Sequence, residues 1–120
     1  MNEPPLGVVV TRNEWGAAIV EEVTATCFID CALFAMQVNP DTPDITRPST
    51  LPGQCIVWFV DAPCSSAERA VQRCMNPEDH IFTGFSLPVL LSFATKRKLL
   101  PLQELLAACE SAHLRGLSLS

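Results

Sequence analysis

The residues of this chain most able to do chemistry crowd into one short stretch, Asp61-Ala62-Pro63-Cys64-Ser65-Ser66. A thiol at the start of a helix, just after a buried strand, can lose its proton early and attack as the thiolate. The carboxylate of Asp61 acts against this, since a nearby negative charge raises a thiol's pKa. The stretch also lacks the glycines that let backbone amides converge on a phosphate. Elsewhere, Cys27 and Cys31 can share a helix face, but no second Cys or His pair stands at ligand spacing, so no metal site is expected. His80 and His113 are isolated and read as surface or interface residues. Lys96-Arg97-Lys98 is the one positive run, read as a solvated loop with docking of an acidic partner as its alternative.

The flanking segments explain why Asp61–Ser66 should be presented to solvent. Cys55–Val60 is apolar on both alternating sides, as in a strand covered on both faces. Ser65 followed by Glu68 is a capping pair. Ala67, Ala70, Val71 and Cys74 recur at helical spacing, with Glu68, Arg69, Gln72 and Arg73 opposite. Strand, polar loop, helix is the βα unit of a parallel sheet, and such sheets place ligands beyond the carboxyl ends of their strands.

Taken in order, Leu6–Thr11 suits a central strand, and Asn13 can cap a helix whose inner side carries Trp15, Ala18, Ile19, Glu22 and Val23. That helix should fray near Thr24–Phe28. Cys31–Val38 reads as a second strand, although Ala25–Met36 also has a helical period. Asn39–Gly53 contains four prolines and is expected to be a long loop with at most one helical turn. Ile81–Phe85 is a further strand ending at Gly84. Ser86 with Pro88 opens one helix, and Pro101 opens another with Leu102, Leu105, Leu106 and Cys109 on one side. The expected architecture is α/β, a three-layer, mostly parallel open sheet with helices on both faces. At 120 residues it is read as one domain, 1–120.

Composition narrows the functional classes. Residues 1–62 carry eight acids against two bases and residues 63–120 five against six, so there is no basic footprint for nucleic acid. No apolar run reaches the roughly 20 residues of a membrane span. The N-terminus has no signal-peptide pattern, and a cytoplasmic location is expected. In a reducing compartment the six cysteines are read as free, with Cys27, Cys31, Cys55, Cys74 and Cys109 as buried small hydrophobes. No cofactor is expected.

Three blocks, GVVVTRNEWGAA, GQCIVWFVDAPCSSAERA and IFTGFSLPVLLSFATKRKLLPLQELLAAC, resemble the mannose-type enzyme IIA domain of the bacterial sugar phosphotransferase system. The resemblance spans the chain apart from the Pro-rich loop, which stands where typical members have a helix. It implies a phosphocarrier in which a His ending the first strand takes a phosphoryl group from the histidine-containing phosphocarrier protein and gives it to enzyme IIB. The equivalent residue here is Arg12. The family's Gly-Gly is Cys64-Ser65, its Pro is Ala67 and its Asn is Arg69, while Asp61, Ser66, Gly84 and Pro88 are kept. The pocket implied by the resemblance is Arg12, Asn13, Asp61, Cys64, Ser65, Ser66 and Gly84. A guanidinium stays protonated and offers no free lone pair, so Arg12 cannot accept phosphorus.

The expected function is therefore a non-catalytic binding or regulatory subunit with a protein partner, either phosphotransferase components or a regulator. Alternatives are a carrier working through another residue and a Cys64-dependent thiol enzyme. Arg12 should pair with Asp61 or hold an anion at the helix N-terminus. The resemblance also implies a homodimer that exchanges a C-terminal antiparallel edge strand, for which HLRGLSLS at 113–120 is the candidate. Gly116 reads equally as a helix cap.

Overall fold

In a computed structural model, residues 3–27, 31–39, 41 and 44–119 are described, with side chains to residue 115. Four strands form one parallel sheet in the order β2-β1-β3-β4: β1 Leu6–Thr11, β2 Leu33–Gln37, β3 Ile56–Val60 and β4 His80–Thr83. In the central pair all of β3 and β1 from Gly7 onward are buried, because these residues are almost all apolar on both faces. Val8, Val10, Ile56, Trp58 and Val60 turn to one side, and Val9, Val57 and Phe59 to the other.

Each face has its own cover. Helix α1 (Trp15–Thr26), α3 (Leu87–Lys96) and α4 (Leu102–Leu119) close the Val9–Phe59 side through Ile19, Val23, Val89, Phe93 and Leu105. Helix α2 (Ser66–Cys74) closes the other with Ala67, Ala70 and Val71, small residues that let it lie close to the sheet. Beside α2 the cover is the Pro-rich loop, which contributes Ile45. Helices thus lie on both faces, as expected.

Several boundaries differ from expectation. The segment before Val38 is the expected strand, shortened to Leu33–Gln37, and its helical period is not used; α1 stops at Thr26, where Thr24 and Thr26 turn their hydroxyls back to the carbonyls of Val20 and Glu22. Where fraying is expected, near Thr24–Phe28, Thr24–Thr26 are still helical, the helix ends with Cys27 as its C-cap, and Phe28 lies outside the described residues. β4 starts at His80 and ends before Gly84, whose φ of 71° turns the chain so that Phe85 packs as a plug under α1 and α3. The C-terminal segment is a correction: residues 113–119 continue α4, so the described residues form neither an exchanged strand nor a helix cap at Gly116. Its leucines follow three turns of α4 that are already packed, and the helix simply propagates.

The Pro-rich loop is fixed by a buried ion pair. Arg47 donates from Nε to Asp79 Oδ2 and from Nη2 to Asp79 Oδ1, both at 2.8 Å. The same carboxylate accepts from Ile56 N, Asn76 N and the Trp58 indole at 2.9–3.1 Å. Burial alone would push the Asp79 carboxyl up. Arg47 and these three N–H donors more than offset it, and its pKa falls to about 2.

Candidate functional site

Strand register assembles the site. Thr11 pairs with Gln37, Val10 with Val60, and Val60 with Thr83, so the carboxyl ends of β1, β3 and β4 lie side by side. The residues that follow them, Arg12, Asp61 and Gly84, therefore sit at one edge of the sheet. The Arg12 side chain donates from Nε to Asp61 Oδ2 at 2.9 Å, and its backbone N–H donates to the same oxygen at 3.3 Å. Asp61 is 11% exposed at the side chain and Arg12 50%, so the carboxylate is sunk and the guanidinium lies across its mouth. Asp61 Oδ1 is buried and has no hydrogen-bond partner among the described residues.

The turn before α1 is built by small polar groups. Thr11 Oγ1 donates to Asn13 O at 2.7 Å, and Asn13 Oδ1 accepts from Trp15 N at 3.0 Å. Asn13 thus satisfies a helix-terminal donor, but the N-cap position itself falls on Glu14, whose side chain makes no capping bond. Gly16 is required because a Cβ there would come within 2.6 Å of Thr11 Oγ1.

The second loop is closed by its own residues. Ser65 Oγ accepts from Glu68 N at 3.2 Å and donates to Ala62 O at 2.8 Å. Glu68 reaches back with Oε1 to accept from Cys64 N at 3.1 Å, a reciprocal cap displaced by one residue from the usual box. The N-terminus of α2 therefore already holds a carboxylate of the protein. Cys64 is exposed and adopts φ of 58°, a left-handed conformation at the tip of the loop. Ser66 begins α2 and is half-buried.

Neither histidine reaches this edge. His80 pairs with Val57, at the amino end of β3, and His113 stacks edge-on against Phe82 at 6.1 Å from α4. Cysteines differ from expectation in degree: Cys31 and Cys109 are buried, while Cys27, Cys55 and Cys74 are half-buried. Among the described residues no group of His, Cys, Asp and Glu has a geometry for a metal ion. No helix among them is long and apolar enough to cross a membrane.

An apolar face beside Arg12 was not foreseen. Trp15, expected to point inward, is 46% exposed and stacks on Phe85 with ring centroids 5.0 Å apart. With Ala18, Glu22 and the exposed Leu87 it borders a shallow hollow of about 490 Å³ between α1 and α3. The buried side of α1 is Gly16, Ile19 and Val23 instead. The legible signal was Gly16: a helix that must approach Thr11 closely turns its neighbour Trp15 out.

Comparison with known proteins locates the fold. No protein-family model matches the chain, and no curated protein matches it in sequence. Among solved structures it is similar to the PTS IIA protein associated with the fucose utilization operon of Streptococcus pneumoniae. That match has a TM-score of 0.65 and 13% identity and covers 93% of each chain. It is also similar to the phosphotransferase system component EIIA of Streptococcus agalactiae, with a TM-score of 0.68 and 8% identity over 92% of this chain and 93% of that one. The fold is that of phosphotransferase IIA proteins.

Proposed function

We propose that this chain is a binding or regulatory protein on a phosphotransferase IIA fold, and that it carries no phosphoryl group itself. The observation that carries this reading is the Arg12–Asp61 pair at the carboxyl edge of the sheet. A phosphoryl acceptor must offer a nucleophilic nitrogen that can shed its positive charge near neutral pH, as imidazole does. Arg12 offers a permanent cation there, and its Nε–H is directed at the carboxylate.

An ion pair accounts for Arg12 better than a bound anion. Asp61 already takes the guanidinium, and Glu68 already occupies the α2 N-terminus, so an entering anion would meet two carboxylates. The partner is instead a protein, either a phosphotransferase component or a regulator. Exposed Trp15, stacked on the buried Phe85, and exposed Leu87 support this, since aromatic and aliphatic anchors beside a charge are typical of docking surfaces.

The test is incubation with phosphoenolpyruvate and the general phosphotransferase proteins, followed by intact mass. The expected result is an unchanged mass. An acid-labile gain of one phosphoryl group would overturn the reading and restore the carrier alternative.

A further inference from the structure

The outer edge of β2 is a second surface, with no further strand beside it among the described residues. Gly7 N donates to Ala32 O at 2.9 Å and Val38 N donates to Thr11 O at 2.8 Å. In a parallel ladder this parity turns the N–H groups of Phe34, Met36 and Val38 toward β1. Leu33, Ala35 and Gln37 therefore aim their N–H and C=O groups outward, where the described sheet has no further strand. An edge of this kind is usually blunted by charge, proline or a bulge. The segment Leu-Phe-Ala-Met-Gln, 33–37, has no charge and no proline, and its register with β1 is unbroken.

Its face is open as well. A loop covers less sheet than a helix would, and Phe34 is left 52% exposed beside a groove of about 590 Å³. Met36, Pro48 and Leu51 line that groove with it. A parallel sheet ordinarily has both faces covered.

We propose that β2 pairs antiparallel with β2 of a second copy of this chain, about a two-fold axis at Ala35. The segment is complementary to itself in that register. Ala35 faces the second copy's Ala35, and Leu33 faces its Gln37, each pair exchanging both outward N–H···O bonds. Phe34 then faces the second copy's Met36 at a non-hydrogen-bonded position, where opposed Cα atoms approach to about 4.5 Å and side chains meet most closely. Sulfur and ring make a favourable contact, and the same contact occurs twice by symmetry. Phe34 of the second copy also extends over the Pro48–Leu51 groove. None of the paired residues 33–37 carries a charge. The pairing involves none of Arg12, Asp61 or Trp15, so it stands or falls apart from the reading of that site.

Sedimentation velocity and equilibrium on the full chain, from low micromolar to several hundred micromolar, test the proposal. The expected result is a reversible dimer that Phe34→Lys weakens at least ~10-fold in Kd by placing two cations across the axis. Ala35→Pro, which removes an outward N–H and none of the donors to β1, has the same expected effect, with circular dichroism confirming the fold of each variant. Hydrogen exchange gives an independent readout, because Ala35 N–H should gain protection as wild-type concentration rises. A monomer throughout, a dimer indifferent to Phe34→Lys, or a dimer lost only on deletion of residues 115–120 would each overturn it.

Discussion

The Arg12–Asp61 contact joins a sunk carboxylate to a guanidinium that is half in water, and this asymmetry sets what it is worth. An exposed partner is screened and mobile, so such a pair adds about 0–1 kcal/mol. Arg12→Ala should therefore lower stability by no more than about 1 kcal/mol in urea unfolding. Asp61→Ala should cost more, because it also removes the acceptor of Arg12 N; a smaller loss than for Arg12→Ala would contradict the geometry. The cysteines give a second residue-scale prediction. Cys64 is exposed, whereas burial, then the negative charge of Asp79, pushes the Cys55 and Cys74 thiols up, and burial pushes Cys109 to about 11. Iodoacetamide on the folded protein near neutral pH should label Cys64 first and Cys109 last, with peptide mapping as the readout. A Cys109 labelled as fast as Cys64 would show that α4 is not seated.

At the scale of elements, the Pro-rich loop packs Ile45 against one face of the sheet and is anchored there by Arg47. Arg47 crosses from the loop to Asp79, and that carboxylate also receives the first backbone N–H of β3 and the indole of buried Trp58. Arg47→Ala would leave a buried carboxylate without its cation, at a cost of about 3 kcal/mol by denaturant unfolding. The pH dependence has a definite sign. Asp79 has its folded pKa lowered from 3.8 to about 2, so its contribution is fully present above about pH 4 and is lost as pH falls through about 2. The amount is on the order of 2 kcal/mol, and Asp79→Asn should flatten the acid limb of the stability curve between those values. This clamp was not legible in the sequence. Its partners are 32 residues apart, and each charge taken alone reads as a loop or turn residue. The β3–α2 unit, by contrast, was legible, because strand pattern, capping pair and helix period all lie within one short window and agree.

For the molecule as a whole, the sequence carried the strands and their parallel sheet further than it carried the surfaces. Apolar runs identify buried strands whatever lies around them. Whether Trp15 faces in or out depends on how closely α1 approaches Thr11, and whether residues 113–119 extend a helix or form a strand depends on what they pack against. The C-terminus puts that last point to a direct test. Leu105 and Cys109 are wholly buried and Ala112 nearly so, while Leu114 is exposed. Among the described side chains, the buried apolar positions of this helix end at Ala112. Truncation after Arg115 should change stability by no more than about 1 kcal/mol, whereas Leu105→Ala should cost about 2–5 kcal/mol for its cavity. Were residues 116–120 instead an exchanged edge strand, their removal would unfold or dissociate the protein, and the ranking of the two variants would reverse. That reversal, read in one pair of urea melts at several protein concentrations, separates a helical C-terminus seated on its own chain from one that completes another.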